Sequence, residues 1–111
     1  MEISREEKNG AVIFHLNGNL ALTGVKVAKT DIKPAVEDVA ITKIIIDMKN
    51  VNLMDSSGIG FLVASAKTIL KRGGKFALCD CQRIVAEIIT STHLDDFLQI
   101  FPSMDDAVSQ I

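Results

Sequence analysis

Apolar residues follow two patterns along the chain: short, nearly continuous runs, and stripes in which they recur at three- and four-residue steps. Runs of this length are typical of strands that are covered on both faces of a parallel sheet. The stripes are typical of amphipathic helices. The runs occupy residues 11–16, 43–48, 75–79 and 97–101, and the stripes extend over residues 25–39, 59–70, 84–89 and 104–111. Their alternation predicts an α/β domain with right-handed crossovers between mostly parallel strands.

The first residues add an antiparallel strand to this sheet. Residues 2–7 form a weaker strand pattern, and the Asn9-Gly10 pair that follows is typical of the tight turn of a β-hairpin. A chain of 111 residues is long enough to bury one core without disulfide bonds. We therefore predict a single domain over residues 1–111, with a mixed, mostly parallel sheet of four to five strands packed by about four helices.

Pro34 falls inside the first apolar stripe. Proline lacks the amide N–H of a helix interior, and its ring clashes with the preceding turn. Two arrangements are compatible with this position: a kinked helix that runs through Pro34, or a helix that begins at Asp31 and carries Pro34 in its first turn. Because the stripe continues unbroken from Val25 to Val39, it favours the kinked helix.

Charge and composition exclude several classes of function. Twelve basic and fourteen acidic residues give a net charge of −2, which is too little positive charge for binding nucleic acid by phosphate neutralisation. Trp and Tyr are absent, so aromatic platforms for stacking bases are few. The apolar runs are far shorter than a membrane span, and the amino terminus shows no signal-peptide pattern. We expect a cytoplasmic protein that binds neither nucleic acid nor membranes.

Candidate metal ligands and catalytic groups are sparse. Cys79 and Cys81 are one residue apart, which is half of a tetrahedral metal site and an awkward spacing for a disulfide. We expect reduced thiols, His15 as a hydrogen-bonded histidine of the sheet, and His93 near the end of the third helix. We predict no metal, no cofactor and no enzymatic activity. The enzyme alternative is a serine hydrolase, but the G-x-S-x-G pattern of a nucleophile elbow is missing.

The segment between the 43–48 strand and the second helix carries the strongest functional signal, because the carboxyl ends of parallel strands usually present functional groups. Asp55 as N-cap places Met54 and Ile59 at the two positions of a hydrophobic staple, whereas a later N-cap would lose that pair. We therefore predict that the helix begins after Asp55. The hydroxyl of Ser57 then lies in the first turn, where free amides and the helix dipole tolerate an anion.

Two glycines follow the serines of this segment. Asp, Ser and Gly are common at helix starts for capping alone, which is the purely structural interpretation of Asp55-Ser56-Ser57-Gly58. A cap needs only one short polar side chain, however, and Gly58 and Gly60 each cost about 1 kcal/mol relative to Ala. We interpret the two glycines as a bare surface that lets another protein approach the Ser57 hydroxyl closely.

The chain resembles STAS domains, specifically the bacterial anti-sigma factor antagonists, over essentially its whole length. The resemblance implies the STAS fold and a regulator of transcription that acts by switching partners. It rests on Ile44-Ile45-Ile46-Asp47-Met48, Val51, Met54-Asp55-Ser56-Ser57-Gly58-Ile59-Gly60, Gly73-Gly74-Lys75 and His93-Leu94.

The resemblance also implies a modification site and two partners. In that family the second serine of the Asp-Ser-Ser-Gly stretch, here Ser57, is phosphorylated by an anti-sigma factor that is also a serine kinase. The unphosphorylated form binds that kinase and frees the sigma factor, and a PP2C-type phosphatase restores it. The docking surface would include Asp55, Ser56, Gly58 and Ile59. We expect a monomer or a weak dimer.

One loop departs from that family. The family usually has a Gly-Glu-Leu-Asp-like turn after the second strand, where this chain reads Gly18-Asn19-Leu20-Ala21. Asn19 and Ala21 therefore replace two carboxylates in a loop that, in the family, lies near the phosphorylation site and contributes to partner binding. This difference leaves the identity of the kinase partner open.

Other roles within the same fold stay open beside this one. The alternatives are a STAS scaffold without phosphorylation, of the stressosome or transport-accessory kind, and a nucleotide-binding STAS module. Gly73-Gly74-Lys75 follows a helix rather than opening one, which favours a helix C-cap over a phosphate-binding loop.

Overall fold

The computed structural model describes all 111 residues, which form five strands and four α-helices. None of the helices combines the length and the hydropathy that crossing a bilayer requires. The strands are β1 (Glu2–Lys8), β2 (Ala11–Asn17), β3 (Lys43–Asn50), β4 (Lys75–Cys79) and β5 (Gln99–Phe101). The helices are α1 (Thr23–Glu37), α2 (Ser56–Lys71), α3 (Arg83–Ser91) and α4 (Met104–Gln110), and a short 3-10 helix covers Leu94–Asp96.

The five strands form one mixed sheet in the order β1-β2-β3-β4-β5. β1 is antiparallel to β2, and the other neighbouring pairs are parallel. Asn9 and Gly10 both have positive φ, 52° and 82°, as the tight turn of a hairpin requires. The predicted fold class and the N-terminal hairpin are therefore confirmed.

The sheet separates a large core from a small one. Alternate residues of β2, β3 and β4 point into a cluster of 24 buried residues that also contains the apolar stripes of α1, α2 and α3. The opposite face carries a cluster of seven buried residues, to which α4 contributes Ala107 and to which Ile111 belongs. Both faces of the central strands are thus covered, as their continuous apolar sequence predicts.

Helix α1 runs without interruption through Pro34, so the alternative start at Asp31 is wrong. The predicted extension to Val39 is also wrong, because α1 ends at Glu37 and Val39 is 79% exposed. Arg72 explains this end: its guanidinium donates hydrogen bonds to the carbonyl oxygens of Val36, Asp38 and Ile41. These carbonyls are satisfied from another part of the chain, so the backbone turns towards β3 instead of continuing as a helix.

The Gly73-Gly74 pair ends α2 as the sequence predicts. Gly73 has a φ of 78°, and the Gly74 amide donates to the carbonyl oxygen of Ile69 at 2.9 Å. This hydrogen bond satisfies a carbonyl of the last helical turn, which is the role of a C-cap glycine.

The last strand is shorter than predicted. Residues 97–101 form a continuous apolar run, but β5 begins only at Gln99, and Phe97 is 41% exposed. Phe97 still belongs to the last turn of the 3-10 helix, where its amide donates to the carbonyl oxygen of Leu94 at 3.0 Å, so the chain becomes extended only after it. His93 lies two residues after the end of α3, in a left-handed conformation, where the sequence places it.

Candidate functional site

Two loops meet at the carboxyl ends of β2 and β3. Leu20, in the loop after β2, is fully buried and forms an isolated parallel bridge with Met54, in the loop after β3. The Leu20 amide donates to the carbonyl oxygen of Leu53 at 3.0 Å, and the Asp55 amide donates to the carbonyl oxygen of Leu20 at 3.4 Å. These contacts hold the start of α2 against the loop that contains Asn19 and Ala21.

Asp55 is the N-cap of α2, which confirms the predicted register. One carboxylate oxygen, Oδ1, accepts hydrogen bonds from the amides of Ser57 and Gly58, both at 3.0 Å. The same oxygen accepts a hydrogen bond from the Ser57 hydroxyl, with an O···O distance of 2.5 Å. The pKa of Asp55 is lowered, first by the bond from the Ser57 hydroxyl and then by the Gly58 amide. Asp55 is therefore an ionised hydrogen-bond acceptor, which orients the Ser57 hydroxyl but does not act as a base towards it.

The Ser57 side chain is exposed in the first turn of α2. Because its proton points to Asp55, the lone pairs of its oxygen remain available to an electrophile from solvent. Ser56 is also exposed, but its hydroxyl has no hydrogen bond. The two serines thus differ in orientation although they are neighbours in sequence.

The interpretation of Gly58 as part of a bare surface is wrong. Gly58 is buried. A Cβ at this position would lie 2.1 Å from the carbonyl oxygen of Leu20 and 2.9 Å from Cγ of Met54. Gly58 is therefore required for the close approach of the 18–22 loop inside the molecule. Gly60, in contrast, has open space around the position of a Cβ, as the bare-surface interpretation expects.

The remaining predicted docking residues surround this helix start. Ile59 is half-buried and packs against the large core. Asn19 is exposed and Ala21 is half-buried, so the two positions expected to carry carboxylates present neutral side chains beside the α2 start. Leu22, which follows Ala21, is 77% exposed and has a φ of 47°. Leu20 and Leu22 therefore differ in burial, although both belong to the apolar run after β2.

A groove of about 420 Å³ extends from Ser57 along the interface of α1 and α2. Lys29 and Lys33 of α1 line one wall, and Ser57 and Gly60 of α2 line the other. This arrangement is not visible in the sequence, because the two lysines lie on the polar face of α1 and no local pattern shows which helix packs beside it.

A second polar cluster lies on the opposite face of the sheet. His15 contacts Asp47 through Nδ1 and Glu6 through Nε2, both at 2.6 Å. Burial lowers the pKa of His15, but the hydrogen bonds to Asp47 and Glu6 outweigh it, and the pKa is raised overall. His15 is therefore the hydrogen-bonded sheet histidine that was predicted.

Asp47, Cys79 and Asp80 bring three possible ligand atoms within 4.8 Å of one another. The Asp47 carboxylate is already bound to His15 and to the Lys49 amide. Burial, followed by repulsion from Asp47, raises the pKa of the Cys79 thiol to about 12. The cluster offers three ligand atoms, fewer than the four of a closed tetrahedral site, and one of the three groups, the Asp47 carboxylate, is already engaged by His15.

The arrangement around Ser57 also does not match a serine hydrolase. The hydrogen-bond partner of its hydroxyl is a carboxylate, and His15 is engaged by Glu6 and Asp47. His93 lies beyond α3, 3.9 Å from Asp96. A nucleophilic serine needs an adjacent general base, which Asp55 with its lowered pKa does not supply.

Comparisons with known proteins agree on one family. The model of the STAS domain family matches residues 2–107. A Paenibacillus polymyxa protein named anti-sigma F factor antagonist is 25% identical over all of this chain and 95% of its own length. A Thermotoga maritima crystal structure superposes with a TM-score of 0.91 at 23% identity, covering 98% of this chain and 93% of that one. The Bacillus cell fate determinant SpoIIAA, solved in its phosphorylated form, superposes with a TM-score of 0.76 at 20% identity, covering 98% of each chain. The chain belongs to the STAS domain family.

Proposed function

We propose that this protein is an anti-sigma factor antagonist that switches partners through phosphorylation of Ser57. The observation that carries the proposal is the exposed Ser57 hydroxyl, which Asp55 orients at the start of α2. The relative named anti-sigma F factor antagonist supports the role, and the similar fold of SpoIIAA, solved in phosphorylated form, supports the chemistry. The protein itself is a non-enzymatic substrate and ligand, and it works in the cytoplasm.

The chemical step takes place at the Ser57 oxygen. In the proposed reaction, Oγ attacks the γ-phosphorus of ATP, the new O–P bond forms, and the bond to the ADP oxygen breaks. The hydroxyl proton leaves to a base of the kinase or to water. ATP and Mg²⁺ belong to the anti-sigma factor kinase. A PP2C-type phosphatase reverses the modification, since water attacks the phosphorus and restores the hydroxyl with release of inorganic phosphate.

Phosphorylation of Ser57 should have little effect on the stability of α2. A phosphate adds about −1.5 to −2 charges and three acceptor oxygens. The amino end of a helix favours such a charge by about 0.3–1 kcal/mol, whereas the Asp55 carboxylate beside it repels the phosphate. The modification also removes the hydroxyl proton that Asp55 accepts. These local effects oppose one another, so we expect the fold to persist after phosphorylation.

The cost of burying a phosphate at a protein interface is larger than these local effects. A partner that is shaped for a neutral hydroxyl must bury the phosphate without a counter-charge, which costs about 2–5 kcal/mol. At about 1.4 kcal/mol per tenfold, binding weakens by a factor of tens to thousands. The switch therefore operates through loss of binding rather than through refolding.

The docking surface in this proposal combines the α2 start with the neighbouring loop. Asp55, Ser56 and Ile59 surround Ser57, while Asn19 and Ala21 are joined to them through the Leu20–Met54 bridge. Gly58 acts only through shape, because it is buried and allows the loop to approach. With neutral residues at 19 and 21, the matching region of the kinase does not need basic side chains. The protein binds as a monomer or weak dimer.

The experiment is incubation of the protein with ATP and the candidate serine kinases that are encoded alongside it, followed by intact-mass analysis. We expect wild type and Ser56→Ala to gain one phosphate and Ser57→Ala to gain none. Ser56→Ala is the matched control, because Ser56 is also exposed but its hydroxyl makes no hydrogen bond to Asp55. A phosphate gained by Ser57→Ala would move the site elsewhere and contradict the proposal.

A further inference from the structure

Two basic side chains line the same groove between α1 and α2 as Ser57. Lys29 and Lys33 are four residues apart on α1, so they project from the same face of that helix. Both are exposed, and neither takes part in any of the five ion pairs of the molecule. Two ammonium groups without a carboxylate partner therefore line the same groove as the proposed phosphoacceptor.

The carboxylates that face this groove are few. Asp55 lies beside Ser57, where its Oδ1 accepts a hydrogen bond from the Ser57 hydroxyl. Glu37 is the last residue of α1 and lines the groove together with Thr68, a late residue of α2. α1 and α2 both connect parallel strands, so they run in the same direction, and Glu37 lies at the end of the groove away from Ser57. The loop after β2 adds no negative charge, because Asn19 and Ala21 are neutral.

The groove also has room for a phosphate. Gly60, one turn after Ser57, has nothing within 4 Å of the position of a Cβ. A phosphoserine at position 57 would add about −1.5 to −2 charges to a groove that two lysines, with a combined charge of +2, also line; Lys29 is one helical turn nearer to the Ser57 end than Lys33. Lysine side chains are long and flexible, so each ammonium group adapts to the phosphate oxygens without movement of the helices.

We propose that Lys29 and Lys33 form an intramolecular site for the phosphate on Ser57, so that the modified side chain lies in the groove between α1 and α2. This inference rests on the proposed function, because it concerns the phosphorylated form. It gives phosphorylation a second consequence: the phosphate occupies a groove that is open in the unmodified protein, in addition to adding charge at the docking surface.

The test uses the full-length protein with phosphoserine installed at position 57 by an expanded genetic code, which makes it independent of any kinase. The second pKa of the phosphate, about 6 for a free phosphoserine, is followed by ³¹P NMR as the pH is varied. Nearby cations lower this pKa, whereas Asp55 and Glu37 raise it. We expect the double variant Lys29→Gln/Lys33→Gln to raise the second pKa by roughly half a unit, about a threefold change in the dissociation constant.

Lys71→Gln is the matched control, since it removes the same charge from an exposed position at the other end of α2. Lys71 is about 20 Å along the helix from Ser57, which is beyond the Debye length at physiological salt. We expect this variant to leave the phosphate pKa unchanged. An equal pKa in wild type and the double variant, or an equal shift in Lys71→Gln, would overturn the inference. Failure of the kinase to modify Ser57 would instead contradict the proposed function, and it would not affect the pKa comparison made with the installed phosphoserine.

Discussion

Two aspartates of this protein hold a neighbouring polar side chain at nearly the same distance, with opposite consequences. Asp55 accepts the Ser57 hydroxyl at 2.5 Å across two positions of sequence, in an exposed helix start. Asp47 contacts His15 at 2.6 Å across 32 positions, and Asp47 is only 5% exposed. The first contact orients a side chain that remains open to solvent. The second contact saturates a histidine between two carboxylates and ties two strands together.

The difference shows that a short hydrogen bond by itself does not identify a functional group. What distinguishes Ser57 is that its oxygen keeps free lone pairs at the surface, whereas both ring nitrogens of His15 are engaged. We therefore expect the Asp47 cluster to act on stability and the Asp55 cluster to act on recognition. The following variants test this division, beginning with the largest expected effect.

Gly58→Ala has the largest expected effect, because it damages the support of the Ser57 region. The new Cβ would lie 2.1 Å from the carbonyl oxygen of Leu20, so the backbone must shift. We expect a loss of about 3 kcal/mol in the free energy of unfolding, measured by urea denaturation. Gly60→Ala is the matched control, since it meets open space and improves helix propensity by up to about 1 kcal/mol. Similar stabilities of the two variants would contradict the close approach.

Asp47→Ala is expected to be the next most damaging change. It removes the acceptor of the Lys49 amide and one of the two partners of His15. Leaving these groups unpaired costs about 2 kcal/mol. The phosphorylation of Ser57 by its kinase should be unchanged at temperatures where the variant is folded. A phosphorylation defect in the folded variant would contradict the division between the two clusters.

The stability of the protein should also depend on the charge of His15. Its pKa is raised in the folded state, so its contribution is fully present below about pH 6.5, the value of the unfolded chain, and is lost as the pH rises through the folded value. We expect Tm to decrease as the pH rises above about 6.5 and through the folded pKa of His15. His15→Gln should remove this decrease, and a persistent decrease in that variant would assign it to another group.

Substitution of Asp55 should have the smallest effect on stability. The contribution of Asp55 should also depend on pH in the opposite direction to that of His15. Its pKa is lowered by the Ser57 hydroxyl and the Gly58 amide, so its contribution is present above about pH 4 and is lost on acidification through the folded value. We expect Asp55→Ala to lower Tm slightly at pH 7 and Asp55→Ser, which keeps an N-cap acceptor, to lower it less. Equal values of Tm for these two variants would show that the cap contributes nothing.

Features that depend on neighbouring residues were predictable from the sequence, and features that depend on distant residues were not. The Asp55 N-cap, the Gly73-Gly74 end of α2 and the Asn9-Gly10 turn depend on residues within one turn of each other, and the structure confirms all three. The end of α1 was placed two residues too late, because it is determined by the distant Arg72. The start of β5 was placed two residues too early, because Leu94 and Leu98 both pack into the large core and the chain between them forms a 3-10 turn that ends at Phe97.

The same limit applies to the candidate site. The exposed position of Ser57 in the first turn of α2 was predictable from the capping pattern. The burial of Gly58 was not, because it results from the approach of Leu20 from a loop 38 positions earlier in the chain. The pairing of Ser57 with Lys29 and Lys33 was likewise invisible, since it requires knowing that α1 and α2 are neighbours on one face of the sheet.

The amino-acid sequence by itself determined the periodicity of strands and helices, the hairpin, and the helix start that presents the Ser57 hydroxyl. These features are local, because backbone propensity and capping act over a few residues. Only the tertiary structure decided that a glycine of the motif is buried, that His15 is held by Asp47, and that two unpaired lysines line the groove beside Ser57. Those outcomes depend on how the strands pair and on which helices pack together, which is settled by burial of the whole core rather than by any one segment.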